Sequence, residues 1–272
     1  MMRDKIVKSI KKVRVDKNGF DCLNREFSNL CFDKNPTHKI GKNYKTFVFW
    51  YQGISSKTPK TIKLCLGSIK KYCQNVTFID KYNYSKYVQI PQFITNKFQA
   101  GQISITHFSD ILRVWLLEKY GGLWLDATVF IYKKMPDFSD EYFYTIHTSY
   151  HNWVVSFLAT GAHNPLFTNL KNMFSKYWQK YDKVIDYFIF DYFIKFQYNQ
   201  CSCIKRMIDN VPTSNEYIFS VFKLYYRPYN RLKYEEFIKN GYLYKITYKH
   251  QKILNILPFT LYKHIIKENN IR

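Results

Sequence analysis

The chain has 272 residues, of which 46% are hydrophobic and 19% aromatic, a composition that excludes a disordered protein and suits one large globular domain. Its 42 Lys and Arg residues outnumber 20 Asp and Glu, and the formal net charge of +22 favours polyanionic partners such as phosphorylated substrates, nucleic acid or an anionic membrane. The sequence contains no run of 18 apolar residues, so we expect no membrane-spanning helix.

The start of the chain is strongly basic. Within residues 1–17, Ile6, Ile10 and Val13 fall at helical spacing among several lysines. Such a helix can lie on an anionic leaflet, although a solvated helix that packs two isoleucines on the core is the alternative. We therefore predict a basic helical segment at residues 1–40. Because no secretory signal core is present, we expect a cytoplasmic protein, with peripheral contact at the inner face of the cell membrane.

A strand–helix–strand unit follows. Residues 46–51 form an apolar, aromatic run that predicts a buried strand, and Pro59 opens a helix with one apolar face from Ile62 to Cys73. Residues 75–80 predict a second strand, so the unit indicates a parallel sheet with a right-handed crossover. The first strand lacks a glycine-rich phosphate loop, which disfavours P-loop and dinucleotide-binding proteins.

In the next predicted helix, at about residues 103–120, three polar residues stand out beside an apolar face: Ser109, Asp110 and Arg113. Asp110 and Arg113 are three residues apart and therefore share one helical face. Two glycines, at positions 121 and 122, are typical of a helix end.

Residues 123–131 predict a single strand in which Trp124, Asp126 and Thr128 share a face. A carboxylate in so apolar a strand is costly without a partner. Arg113 would provide one through a structural salt bridge. The functional alternative is that Asp126 faces a ligand, because ligands of open α/β sheets bind at the carboxyl ends of strands.

The remaining pattern adds two further strands and several helices. Residues 143–147 and 153–159 predict strands, and residues 165–181 predict a helix. An aromatic helix is expected at residues 186–193, and the chain beyond Pro212 is expected to be basic and mainly helical. The order of elements indicates the α/β class with additional helices.

Residues 108–128 carry a specific pattern: Ser-Asp-x-x-Arg, a helix, Gly-Gly, and a strand that reads Leu-Trp-Leu-Asp-Ala-Thr. This pattern resembles the capsular polysaccharide synthesis family, which is related to the family 32 sugar transferases and the clostridial glucosylating toxins. Residues 49–53, 185–188 and 245–249 also resemble segments of the capsular family, so the similarity extends over roughly residues 40–250.

The resemblance implies a GT-A type, Rossmann-like glycosyltransferase fold, with residues 41–272 as a single catalytic domain whose C-terminal part is helical. It implies transfer of a sugar from a nucleotide-sugar donor, with UDP-sugars favoured, to a capsular polysaccharide or lipopolysaccharide precursor with retention of configuration. The expected partners are that donor and a lipid-linked or oligosaccharide acceptor, without nucleic acid.

The resemblance also implies roles for particular residues. Trp50 matches an aromatic residue that stacks on the nucleotide base, and Asp110 and Arg113 match residues that hold the donor sugar and its diphosphate. Asp126 matches the first acidic residue of an Asp-x-Asp pair, which binds the ribose and a divalent metal, Mn²⁺ or Mg²⁺. The predicted donor-binding residues are Trp50, Ser109, Asp110, Arg113, Trp124, Asp126, Thr128, Lys245 and Lys249.

Thr128 departs from the pattern, because it stands where the related proteins have a second Asp. A metal bound with a diphosphate normally has carboxylate ligands, so either Asp126 holds the metal with phosphates and water or metal dependence is weak. Lys245 and Lys249 would help to stabilise the leaving diphosphate, or would be ordinary solvated lysines.

The predicted catalytic residues are Asp126, Arg113 and Asp186. For Asp186 two roles are open: a nucleophilic or acceptor-binding carboxylate, and a structural residue in a helix cap or salt bridge. Two other functions stay open for the chain as a whole: a non-catalytic basic protein that binds nucleic acid or membrane, and the same fold transferring another activated group.

Overall fold

The computed structural model describes residues 26–27, 34–219, 225–239, 241–249 and 251–269. Most of the basic segment predicted at residues 1–40, including its amphipathic stretch, lies outside the described residues. None of the helices in the described ranges is both long and apolar enough to cross a membrane.

The strands are β1 (Thr46–Phe49), β2 (Val76–Ile79), β3 (Gly122–Asp126), β4 (Val129–Ile131), β5 (Phe143–Thr145), β6 (Phe157–Thr160) and β7 (Leu243–Lys245). The helices with both ends described are α1 (Lys60–Tyr72), α2 (Gln92–Gln99), α3 (Ile105–Tyr120), α4 (Pro165–Lys180), α5 (Ile189–Gln200), α6 (Ser202–Asp209), α7 (Arg231–Lys239), α8 (Gln251–Ile256) and α9 (Leu261–Glu268).

The central sheet has the strand order β2-β1-β3-β6-β5. Strands β2 and β3 both pair with β1 in parallel, whereas β6 is antiparallel to β3 and β5 is antiparallel to β6. The α/β class and the parallel unit predicted from residues 46–80 are therefore confirmed, in an arrangement consistent with a GT-A-like fold. Because β1 and β3 are parallel neighbours, their carboxyl ends lie side by side, with Phe49 opposite Asp126.

Helix α3 carries Asp110 and Arg113, which lie at that edge, and both ends of the helix are fixed by the local sequence. Ser104 caps its first turn by accepting a 3.2 Å hydrogen bond from the backbone N–H of His107. The chain leaves α3 through Gly121 and Gly122, whose φ angles of 63° and 92° favour glycine. A Cβ on Gly122 would lie 2.3 Å from the carbonyl oxygen of Lys45, so only glycine allows β3 to start this close to β1.

The structure corrects the single strand predicted at residues 123–131. Strand β3 ends at Asp126, a turn at 127–128 follows, and β4 joins a second sheet with β7. The alternation of apolar residues continues through the turn, which hides the break from a periodicity argument.

Several other predictions need correction. The C-terminal part is not only helical, because Leu243–Lys245 forms β7. The aromatic helix begins at Ile189 rather than at residue 186, and the strand predicted at residues 153–159 is confined to Phe157–Thr160. Helix α2, at Gln92–Gln99, was missed.

A second apolar cluster supports the small sheet. It contains Leu64 and Cys65 of α1, Phe130 of β4, Tyr244 of β7 and Leu261 of α9, among others. Burial of these side chains between α1 and the C-terminal helices holds β7 against β4. As a result, a lysine at the end of β7 lies beside the carboxyl end of β3.

Candidate functional site

A cavity of about 550 Å³ opens where β1 and β3 end. Trp50, directly after β1, forms part of its wall, and Asp110 and Arg113 reach it from α3. Asp126 and Thr128 contribute the wall after β3. The cavity therefore lies at the position that the open-sheet rule predicts for a ligand.

Asp126 is the centre of a polar network. Its Oδ1 accepts a 2.9 Å hydrogen bond from the Trp124 indole nitrogen and a 3.2 Å bond from an Arg113 Nη atom. Its Oδ2 accepts a hydrogen bond from the Lys245 ammonium group. Burial alone would raise the pKa of Asp126, but Lys245 and Arg113 outweigh it and hold the pKa at about 2.

Arg113 connects both carboxylates of the network. Its side chain is only 3% exposed, and the Nη atom that contacts Asp126 also lies 3.1 Å from Asp110 Oδ1. The other Nη atom donates a 2.5 Å hydrogen bond to the Val155 carbonyl oxygen. The structural salt bridge considered for Asp126 is therefore present, yet it faces the cavity, so the structural and ligand-binding readings are compatible.

Two buried carboxyl groups in the cavity wall are far less acidic than Asp126. Burial raises the pKa of Asp110 to about 7, even though the Arg113 guanidinium lowers it. Burial also raises the pKa of Asp191 to about 6 against a hydrogen bond from Trp153. Neighbouring carboxyl groups with separated pKa values supply both a fixed negative charge and groups that exchange protons near neutral pH.

Trp50 borders the cavity beside an exposed aromatic residue. Its ring meets Tyr248 edge to face, with ring centroids 5.2 Å apart. The Trp50 indole nitrogen is buried and has no hydrogen-bond partner within the described part of the chain. A buried donor without a partner is costly, and its position beside the cavity suits a ligand acceptor.

Comparison with known proteins identifies the family of this chain. The family model for capsular polysaccharide synthesis proteins matches residues 4–265. The chain belongs to that family. The resemblance inferred from residues 108–128 is thus confirmed.

Two further proteins show a limited similarity to this family member. The O-glycosyltransferase braB of Annulohypoxylon truncatum is 24% identical over 110 residues, which are 37% of this chain and 26% of that protein. The match thus spans about a quarter of that relative's length. Among solved structures, the PaToxG glycosyltransferase superposes with a TM-score of 0.43 at 16% identity, over 84% of this chain and 96% of that one.

The structure brings most of the predicted donor-binding residues of this family member together. Ser109 and Thr128 line the cavity, and Trp124 is buried beneath it, where it orients Asp126. Lys245 is not among the residues that line the cavity, but its ammonium group reaches the edge of the site through its bond to Asp126. Lys249 does not line the cavity, because β7 ends at residue 245 and leaves this side chain exposed.

The acidic residue of the aromatic segment that lines the cavity is Asp191 and not the predicted Asp186. Asp186 does not line the cavity, and its Oδ1 accepts a 2.8 Å hydrogen bond from the Phe188 backbone N–H, which forms a local turn before α5. It is not a helix cap, because the N-cap residue of α5 is Phe188 and no side chain caps this helix. Asp191 lines the cavity from the first turn of α5 and was missed as a site residue. Its position in an apolar helix was the available signal, because a buried carboxyl group requires a partner or a function.

The donor set does not fit a divalent metal. Across the described residues, no three His, Cys, Asp or Glu side chains are grouped in a way that could hold an ion. Both carboxylate oxygens of Asp126 already accept hydrogen bonds, two of them from cationic groups. Thr128 adds only a neutral oxygen nearby. The divalent metal predicted for Asp126 stays a prediction.

Proposed function

We propose that the cavity binds a nucleotide-sugar donor and that the protein transfers the sugar to a precursor of a capsular polysaccharide or lipopolysaccharide. The observation that carries this proposal is the Asp110–Arg113–Asp126 network at the joint carboxyl ends of β1 and β3. Membership of the capsular polysaccharide synthesis family and the relationship to glycosyltransferases support it.

The cavity offers a separate group for each part of a donor. Trp50 supplies an aromatic surface and an unpartnered N–H for the base, with UDP-sugars as the favoured class. Arg113 and Lys245 supply positive charge for the diphosphate, and Asp110 supplies a carboxyl group for sugar hydroxyls. A volume of about 550 Å³ lies in the range of sites for molecules of this size.

The proposed reaction breaks the bond between the sugar C1 and the diphosphate oxygen and forms a bond from C1 to an acceptor hydroxyl oxygen. Negative charge develops on the leaving diphosphate, where preorganised positive groups lower the barrier. We propose retention of configuration, with attack from the leaving-group face and the acceptor proton passing to a diphosphate oxygen. We propose that Asp191, which lines the cavity and whose pKa burial raises to about 6, relays that proton from the acceptor hydroxyl to the diphosphate oxygen.

The acceptor and the location are part of the same proposal. A formal net charge of +22 favours an acceptor that carries phosphate, such as a lipid-linked oligosaccharide, and contact with an anionic membrane at the cytoplasmic face. Because of this charge, we propose that the protein acts at the membrane surface on such a precursor.

A donor screen tests the proposal. Thermal shifts are measured with UDP-, GDP-, TDP- and CMP-sugars, followed by assays for nucleotide release with the donor that binds. One nucleotide class is expected to raise the melting temperature, because a ligand of the folded state stabilises it. Asp126→Asn and Arg113→Ala should abolish turnover, while the exposed Asp140→Asn should match the wild type. Full turnover by both folded site variants would refute the proposal.

A further inference from the structure

Backbone pairing between β7 and β4 positions Lys245 beside Asp126. Lys245 is the last residue of β7 and pairs with Val129, the first residue of β4. One residue further, the Ile246 N–H donates a 2.9 Å hydrogen bond to the Thr128 carbonyl oxygen. These contacts hold the start of the Lys245 side chain beside the two residues that follow β3, so its ammonium group meets Asp126 as a consequence of strand register.

The ion pair remains accessible. The side chains of Lys245 and Asp126 are 24% and 26% exposed, whereas the Arg113 side chain is 3% exposed. An ammonium group carries three N–H donors, and the bond to Asp126 uses one of them. The others can reach oxygens of a bound ligand. The Arg113 Nη atoms, by contrast, already contact Asp110, Asp126 and a backbone carbonyl.

Cationic groups already contact both oxygens of Asp126. Arg113 contacts Oδ1 and Lys245 contacts Oδ2, and Arg113 also contacts the Asp110 carboxyl group. A divalent ion on Asp126 would have to displace Lys245 and would then lie close to Arg113, where like charges repel. A diphosphate would instead be attracted by both cations and would leave the bond between Lys245 and Asp126 in place.

We propose that Lys245 takes the place of a divalent metal: its ammonium group binds the donor diphosphate, Arg113 adds positive charge behind Asp126, and donor binding requires no metal ion. This inference rests on the proposed function, since it concerns the same donor site. It accounts for the neutral Thr128 at the second acidic position of the related pattern, because a single carboxylate is sufficient to orient one ammonium group.

Calorimetric titration with UDP, GDP and TDP, in EDTA and in Mn²⁺, separates the two proposals. The inference expects one nucleoside diphosphate to bind in EDTA, with an affinity that Mn²⁺ changes less than about threefold. Binding that requires Mn²⁺ would overturn the inference and leave the proposed donor site intact. Binding of none of the three under either condition would overturn both.

Variants of Lys245 test whether the lysine contacts the diphosphate. Lys245→Met should lower the affinity for the nucleoside diphosphate identified in that titration by about tenfold to a hundredfold in EDTA. This is the size of the effect expected for a lost charge-assisted hydrogen bond. The affinity of the corresponding nucleoside, which has no phosphate, should stay unchanged. Lys245→Arg should retain most of the diphosphate affinity, and Lys267→Met, at an exposed lysine of α9, should equal the wild type.

A purely structural role for Lys245 predicts a different result. In that case Lys245→Met would weaken the nucleoside and the diphosphate by the same factor, which would overturn the inference. Melting temperatures measured on the same samples identify any variant that has lost its fold, and Lys245→Arg then provides the decisive comparison.

Discussion

The Trp153 indole nitrogen donates a 3.0 Å hydrogen bond to Asp191 Oδ1, across 38 residues of sequence. The hydrogen bond favours the ionised carboxylate and lowers its pKa, but burial is the larger effect and raises the pKa to about 6. Trp153 therefore adjusts the proton affinity of a carboxyl group that lines the cavity, which makes the pair suitable for proton transfer near neutral pH.

This pair leads to a prediction about the pH dependence of turnover. Trp153→Phe removes the hydrogen bond to the carboxylate, so the pKa of Asp191 should rise and the acidic limb of the pH–rate profile should move to higher pH. Asp191→Asn should lower turnover about 10²–10⁴-fold, as expected for loss of a general acid or base. If the acidic limb were identical in the wild type and Trp153→Phe, Asp191 would not control it.

Asp110 predicts how stability depends on pH. Its pKa rises from an ordinary 3.8 to about 7 in the folded protein, so the folded state binds more protons than the unfolded state between these values. The contribution of Asp110 to the free energy of unfolding should therefore fall as pH rises through this window. Asp110→Asn cannot titrate, and should gain stability relative to the wild type as pH rises.

Urea unfolding of both proteins at several pH values checks this prediction. The difference between the two free energies of unfolding isolates Asp110, because the other titrating groups occur in both proteins. A difference that does not change between pH 3.8 and about 7 would contradict the raised pKa.

Arg113 should be necessary for stability as well as for binding. Arg113→Ala leaves Asp110 and Asp126 without a buried partner, and removal of one member of a buried ion pair costs about 3–5 kcal/mol. Arg231→Ala is the matched control, because its salt bridge to Glu235 is exposed and screened by solvent, so its loss should change the free energy of unfolding far less. Equal losses in urea unfolding would show that burial of Arg113 has no special energetic role.

Two glycines should respond to alanine in opposite directions. Gly122 has a φ angle of 92°, and a Cβ there would lie 2.3 Å from the Lys45 carbonyl oxygen, so Gly122→Ala should cost at least about 1–3 kcal/mol. Gly67 lies within α1 with no atom within 4 Å of an added Cβ, and Gly67→Ala should stabilise the protein by about 0.5–1 kcal/mol. Thermal unfolding measures both, and a stable Gly122→Ala protein would rule out the proposed constraint on β3.

The sequence was informative where structure is local. The predicted unit at residues 46–80 and helix α3 depend on periodicity and on neighbouring prolines and glycines, and both are present. The strand rule also explains why Trp50 and Asp126 line the same cavity, since they lie at the carboxyl ends of parallel neighbours in one sheet.

The remaining features depend on distant partners. The chain leaves the central sheet after Asp126 because β4 pairs with β7, a strand more than 100 residues later, and nothing in residues 123–131 encodes that partner. For the same reason Lys245 was predicted near the diphosphate without the bond to Asp126. Asp186 and Asp191 are both aspartates in the same aromatic segment, so the sequence does not distinguish them. The start of α5 at Ile189 puts Asp191 in the first turn of the helix, where it lines the cavity.

Trp50 provides the most direct test of donor orientation. If its ring stacks on the base, Trp50→Ala should weaken UDP binding about fivefold to a hundredfold, the effect of losing one base-stacking contact. Inorganic pyrophosphate, which lacks the base, should bind the wild type and Trp50→Ala equally. Trp50→Phe keeps an aromatic face, so its affinity for UDP should lie between those of the wild type and Trp50→Ala. A parallel loss of UDP and pyrophosphate affinity would instead indicate that Trp50 supports the cavity wall, and the base would have to lie elsewhere.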